Sequence, residues 1–571
     1  MNNNIKNIIR TGVFAIAGLL ACYSCSDTWD EHYDPANNGS KVDASLYQQM
    51  KSDASLSDFM QIIDATGYDA LLNENQIVTV FAPVNGTFNK DSLLSEISAG
   101  NKEMVITRFV KNHIARYNYS STSEEQEITL LNQKRTTLQD GIVGVDAVQA
   151  KSVNTICNNG ILHVMNGYLP FHANIYETME IDPSLSSLYN FFKAYDEDSL
   201  DIARSVYRGV DENGNRIYVD SVIIHANDVM SMLDAYIFEE DSDYIAIMPT
   251  NEAFDARYEE IKSYFNYNIH EEDRDSLQEL YANYYIVSTL FYNNNANLHP
   301  EDSLKSTIYN SYDPKYNVFY HPYEEGGILA PGKYTSKINC SNGLMYKVNE
   351  IPTTIYDAFF HELEIECEHT GNINSELDAN GNGKFTKTCN YETRATTMKS
   401  ISKGGYLDAQ PSSTSGQPYV AFNIANTLSG TYDLYLITVP LRYGQNVQDA
   451  DTLKPYQFRV NMFYRTNKDT DLEAAWPAAK NETLKNPIDG GQNFISDPME
   501  VDTIFLGTKT FTECYFMADK VGVMLQVQSY VPSSATKTYS RRMLLDKILF
   551  VPHKDAEGGE VPVEVKKTPK H

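Results

Sequence analysis

The feature that most constrains this 571-residue chain is a turn-and-strand unit that occurs twice. Cys157-Asn158-Asn159-Gly160 leads into Ile161-Leu162-His163-Val164-Met165-Asn166, and Cys340-Ser341-Asn342-Gly343 leads into Leu344-Met345-Tyr346-Lys347-Val348-Asn349. Asn-Gly readily takes the positive φ angles of a tight turn. The alternating apolar run behind it predicts a strand with one buried face. Two further echoes occur in the same order. Asp53-Ala54-Ser55-Leu56-Ser57 matches Asp182-Pro183-Ser184-Leu185-Ser186. Each opens a helical apolar pattern, Leu56/Phe59/Met60/Ile63 or Leu185/Leu188/Phe192, behind an Asp or Ser placed to cap it. Thr79-Val80-Phe81-Ala82-Pro83-Val84-Asn85-Gly86-Thr87-Phe88 then matches Ala246-Ile247-Met248-Pro249-Thr250-Asn251-Glu252-Ala253-Phe254. Three ordered matches imply a duplicated domain. The separation between copies widens along the chain, so the second copy carries insertions, the larger one before Pro249.

These residues resemble the fasciclin (FAS1) domain. Thr79, Phe81, Pro83, Asn85 and Phe88 lie in what looks like its first signature box, and Asn159, Gly160 and His163 in its second. Phe109-Val110-Lys111-Asn112-His113 is similar to the region between the boxes. The second copy keeps Pro249, Asn251, Phe254, Asn342 and Gly343. It replaces Ala82 with Met248, His163 with Tyr346 and Val164 with Lys347, and carries Tyr284-Tyr285 where a His is usual. The resemblance implies two α+β domains, over residues 42–173 and 174–354, and a role in adhesion or extracellular binding. The boxed residues, His113 and His163 included, are read as scaffold and not as catalytic groups.

A formal charge of −30 argues against a nucleic-acid partner, because phosphate binding needs a basic surface. Forty Tyr against two Trp suit β-strands and also rings that stack on sugars. Residues 1–21 read as a secretory leader: Lys6 and Arg10 precede the apolar run Val13–Ala21, too short to span a bilayer. Leu19-Leu20-Ala21-Cys22 resembles a bacterial lipobox, which implies acylation of Cys22, with Cys25 as the alternative site. Residues 22–41 then form a polar acidic tether, as in Bacteroidetes-type surface lipoproteins. The expected location is the outer membrane, lipid-anchored and exposed at the cell surface.

The remaining cysteines are scattered without zinc spacing, and Cys157 and Cys340 are read as small buried hydrophobes. Alternating strands around Glu212-Asn213-Gly214-Asn215 predict a β-hairpin inserted in the second copy. Asp378-Ala379-Asn380-Gly381-Asn382-Gly383 fits the first half of a calcium loop, but the twelfth position is Cys389 and not Glu, which favours a polar turn. Several Asp-Ser/Thr-apolar triplets, such as Asp302-Ser303-Leu304, resemble O-glycosylation sequons and suit helix capping equally well.

From residue 355 the period changes. Glu362-Leu363-Glu364-Ile365-Glu366-Cys367-Glu368 alternates, predicting an edge strand that buries Leu363, Ile365 and Cys367 and exposes a guarding row of carboxylates. Further strands at 419–424, 430–439, 456–464, 521–527 and 544–551 predict an all-β sandwich over 355–554, similar to a galactose-binding-like jelly roll. Residues 555–571 read as a disordered tail. No G-x-S-x-G, H-E-x-x-H, Walker or Rossmann motif is present in the sequence. The expectation is a non-enzymatic surface protein with no cofactor or metal, binding a polysaccharide or matrix component through sandwich tyrosines. The alternative is a scaffold or accessory subunit docking other outer-membrane proteins of a glycan-uptake assembly.

Overall fold

The computed structural model describes residues 40–554 apart from 74–75, 204, 211–213, 215, 221, 268–271, 295–301, 309–316, 374–382, 387–400, 445–446, 466–471, 473–479 and 518–519. The leader, Cys22 and Cys25, nearly all of the tether, the Asp378–Asn382 loop, Cys389 and the tail therefore lie outside the described residues. The chain forms two units. One runs to Phe171 and includes Ile202–Val222; the other takes His172–Asp201 and everything from Ile223.

In the first unit, Asp53 accepts from the Ser55 amide, and a short 3-10 turn runs into the helix Ser57–Thr66. Gly67, left-handed at φ 80°, ends it. Leu56, Phe59, Met60 and Ile63 are buried, as the period predicts, and so is Ile62. They pack on a seven-stranded sheet in the order 114–116, 78–83, 160–165, 148–157, 142–143, 135–139, 126–129. Its centre is a parallel pair, Val78–Pro83 beside Gly160–Met165; the other pairings are antiparallel. Both central strands are buried along their whole length, because side chains on each face meet a core. The hairpin expected in the second copy exists as Val206–Val210 paired with Arg216–Asp220. It clusters with the first unit and not with the repeat whose sequence it interrupts.

The second unit repeats the plan. Asp182 accepts from the Ser184 amide, and a 3-10 turn leads into the helix Ser186–Lys193, with Leu185, Leu188, Phe191 and Phe192 buried. The sheet runs 291–293, 244–249, 343–348, 336–340, again with a parallel centre, Tyr244–Pro249 beside Gly343–Val348. Register corrects one assignment. Val80 pairs with Ile114 and its counterpart Ala246 with Phe291, so Leu290, and not Tyr284-Tyr285, occupies the place of His113.

Beyond it stand two antiparallel sheets. One has the order 383–386, 407–411, 543–552, 430–438, 502–511, with 363–366 also on 543–552; the other has 419–424, 523–529, 457–464, 480–483, with 494–495 also on 457–464. Their buried residues form one core with those of the second repeat. Phe360 lies between Tyr264 and Tyr432, at ring separations of 5.0 and 5.1 Å. Phe516 packs on Tyr281 and Tyr285. Backbone bonds Ser429 N to Tyr264 O and Cys514 N to Asn266 O tie the same junction. The boundary expected at 354/355 thus falls within a continuous core. Cys157, Cys367 and Cys514 are buried, Cys340 is half-buried, and none of these four is in a disulfide.

Candidate functional site

Each boxed residue has a structural task. Asn85 Oδ1 accepts from the Asp58 amide, while its Nδ2 donates to Ala54 O and Ser57 Oγ. Asn251 does the same in the second copy: its Oδ1 accepts from Ser187 N, and its Nδ2 donates to Pro183 O and Ser186 Oγ. Each Asn therefore clamps the start of the capped helix to the end of the central strand, satisfying helix N-terminal groups that have no partner within the helix. The turn asparagines act alike. Asn159 accepts from Leu46 N and donates to Leu72 O; Asn342 accepts from Ile175 N and donates to Ile237 O. Gly160 and Gly343 follow at φ 153° and 144°.

Thr79 Oγ1 donates to Tyr117 O and accepts from Tyr119 N. Phe81 stacks on the His163 ring at 5.3 Å, and Phe88 packs on Phe109. Pro83 and Pro249 end fully buried strands, and Phe254 packs on Phe191. His113 Nδ1 donates to Phe109 O at 2.7 Å, and its Nε2 accepts from Leu169 N at 2.9 Å. His163 Nε2 donates to Tyr119 O at 2.9 Å, and its Nδ1 accepts from Asn154 N at 3.4 Å. Both rings are fully buried, and burial lowers both from 6.5 to about 4, against a smaller opposing effect of the accepting carbonyls. A neutral imidazole locked between one acceptor and one donor holds structure and does not relay protons.

The carboxylate row departs from its expected exposure. Glu364 faces solvent, but Glu366 and Glu368 are buried, and the strand ends at Glu366. They lie near Asp546, where the pairing with 430–438 shifts register: Asp546 and Lys547 together oppose Ile437 in a β-bulge. Ser402 Oγ donates to Glu366 Oε1, and Ser402 N donates to Asp546. Desolvation, and after it the two glutamates, push Asp546 up to about 7, opposed by the Ser402 bond. A folded-state value raised from 3.8 means that stability is lost as pH climbs from about 4 to about 7. Asp546→Asn should therefore stabilise the chain at pH 8, by roughly 2–4 kcal/mol in urea unfolding, and leave its stability nearly unchanged at pH 4. Equal shifts at both pH values would refute this.

Of the tyrosines expected to form a platform on the sandwich, Tyr419, Tyr435 and Tyr464 are half-buried. Tyr406, Tyr432, Tyr456 and Tyr515 are buried, and the exposed Tyr530 is covered by the Arg459 guanidinium at 3.4 Å. A cleft of about 790 Å³ opens where the second repeat meets the sheets that follow it. One wall is the helix Asn251–Ile261, whose Arg257 donates to Ile351 O and Thr353 O and pairs with Glu260. Thr354 caps the short helix Ile355–Ala358 through a capping box with Asp357. Lys554 lies over the Tyr356 ring at 4.1 Å, and Lys333 and Tyr334 line the mouth. Aromatic faces beside amide, hydroxyl and ammonium groups can hold a polyhydroxylated ligand by stacking and hydrogen bonding. Sequence reasoning missed this cleft, since its walls come from four separate stretches of chain.

Residues 54–170 match the sequence model of the fasciclin domain, so this chain contains a FAS1 domain. No curated protein matches the chain. Among solved structures, a FAS1 domain pair from the insect cell adhesion molecule fasciclin I matches at 12% identity, over 53% of this chain and 98% of that one. The TM-score is 0.18, too low for the superposition to bear on this fold. Among the described residues no helix is long and apolar enough to cross a membrane.

Proposed function

We propose that the chain is a non-catalytic adhesion protein of the bacterial cell surface. In this reading it is lipid-anchored through Cys22 at the outer membrane and binds glycan or extracellular matrix. The observation that carries the reading is the FAS1 domain at 54–170, a domain associated with cell adhesion. Its signature side chains are spent on internal ties, which leaves binding to surfaces around the scaffold. Residues 174–354 serve as a second FAS1-like copy and 355–554 as a jelly-roll-like sandwich, with the ligand in the cleft between Lys333, Tyr334 and Tyr356.

The test is binding of the mature chain to a polysaccharide panel by calorimetry. The chain is used whole, because the sandwich shares its core with the second repeat. At least one glycan should bind, and Tyr334→Ala should weaken it about tenfold or more, near 1.4 kcal/mol, in a chain that circular dichroism shows still folded. Binding that survives this variant would remove the cleft from the proposal. No glycan binding together with co-purification of outer-membrane proteins would favour the scaffold role, and release of sugar product would make the protein an enzyme.

A further inference from the structure

The hairpin formed by Ser303–Lys305 and Val318–Tyr320 brings Asp302 up to His321 and Glu324, which lie three residues apart in the turn after it. Its register pairs Ser303 with Tyr320, and the ladder continues one step as His321 N donates to Asp302 O at 2.8 Å. Glu324 N then donates to His321 O, closing a turn that returns Glu324 to the imidazole. One ligand atom each from Asp302, His321 and Glu324 lies within 4.8 Å of the other two.

As an ion-pair cluster this arrangement is poorly made. His321 Nδ1 stands 3.4 Å from Asp302 Oδ2 and 3.5 Å from Glu324 Oε1, beyond the roughly 2.7–2.9 Å of a charge-assisted hydrogen bond. Elsewhere the chain does close such pairs: His225 meets Asp198, and His553 meets Asp433, both at 2.8 Å. The longer spacing is close to that of ligands around a metal ion. Ligands on a tetrahedral ion, with bonds of about 2.0–2.1 Å, stand roughly 3.3–3.4 Å apart. The imidazole sits at that distance from two carboxylates at once and forms a hydrogen bond with neither.

We propose that Asp302, His321 and Glu324 bind a divalent transition metal of the zinc class, with a fourth position open to solvent. One imidazole and two carboxylates suit zinc and its neighbours, whereas calcium and magnesium require six or more oxygens. The three side chains are 59–67% exposed, so the ion enters and leaves without opening the fold. A net charge of −30 raises the local concentration of any cation. Nothing in the sequence reveals the triad, because the hairpin and not the spacing assembles it. The site is independent of the cleft and of its ligand.

The experiment is calorimetric titration of untagged full-length mature chain with Zn²⁺, in excess calcium to suppress non-specific binding. Co²⁺ absorption serves as a second readout. One site should saturate, with a Co²⁺ spectrum free of the thiolate charge-transfer band that buried cysteines would give. His321→Ala should weaken that site at least a hundredfold and Asp302→Asn at least tenfold. All three residues are on the surface, so metal-free melts should match the parent. Zinc binding that is unchanged in His321→Ala would overturn the proposal. No zinc binding above the calcium background would overturn it equally, leaving a loose ion pair.

Discussion

Gly160→Ala should destabilise the first unit by about 4 kcal/mol or more, the range reached by few single substitutions. A Cβ on Gly160 would sit 1.9 Å from Val78 O and 2.8 Å from Leu46 Cδ1. The carbonyl belongs to the parallel partner strand, whose Val78 is in register with Gly160, so the clash cannot be relieved without parting the central pair. The φ of 153° adds a conformational cost to the steric one. Gly343→Ala repeats the conflict in the second unit, 2.0 Å from Tyr244 O. Gly86→Ala is the control. It also has a left-handed φ, 75°, but nothing lies within 4 Å of its added Cβ, so about 1 kcal/mol is expected. Urea unfolding followed by circular dichroism separates the cases, and similar midpoints for Gly160→Ala and Gly86→Ala would show that close approach of the strands is not what the glycine serves.

That glycine also shows what the sequence made legible. The capping Asp53 and Asp182 are local chemistry, readable because each acts on backbone within a few residues of itself, whereas Asn159 reaches Leu46 and Leu72 far along the chain. The clamp made by Asn85 on the amide of Asp58 is not local, and only its recurrence at Asn251 hints that the residue has a fixed partner. The shared core was invisible for the same reason. Tyr264, Phe360 and Tyr432 each read as an ordinary apolar position, and nothing in the period of any segment pairs one with another.

The carboxylate row was misread because alternation predicts exposure only while a strand lasts. This strand stops at Glu366, so Glu368 lies in the turn beyond it, while Glu366, still paired with Lys547, is buried beneath the Ser402 hydroxyl. The strand Asp502–Phe511 was missed because Thr503, Thr508 and Thr510 at exposed positions, with Gly507 and Lys509 between apolar ones, dilute the apolar period. The cleft and the hairpin triad lie further from reach, since their residues meet only after the chain has folded.

Acid should unfold the first unit selectively, through His113 and His163. Both fall from 6.5 to about 4 in the folded state, so their neutral forms contribute stability that is complete above about pH 6.5. The contribution is lost progressively as pH falls from there to about 4, where the folded rings themselves take up protons. Each histidine accounts for ~3 kcal/mol across that window. The geometry agrees with the direction: the nitrogen that would gain the proton is in each case the one accepting a backbone N–H, from Leu169 or Asn154. Charging the ring would turn an acceptor into a donor facing a donor, at a fully buried position. In the second repeat Leu290 holds the His113 position and Tyr346 the His163 position, so the same acid response has no source there. Hydrogen exchange followed by mass spectrometry at pH 7 and pH 4.5 reads the two units separately. Strand Gly160–Met165 should lose protection on acidification, and Gly343–Val348 should lose much less. His163→Gln should reduce the pH dependence of the first unit by about half, whatever its effect on stability at pH 7. An unchanged slope in that variant would mean that other groups drive the acid transition.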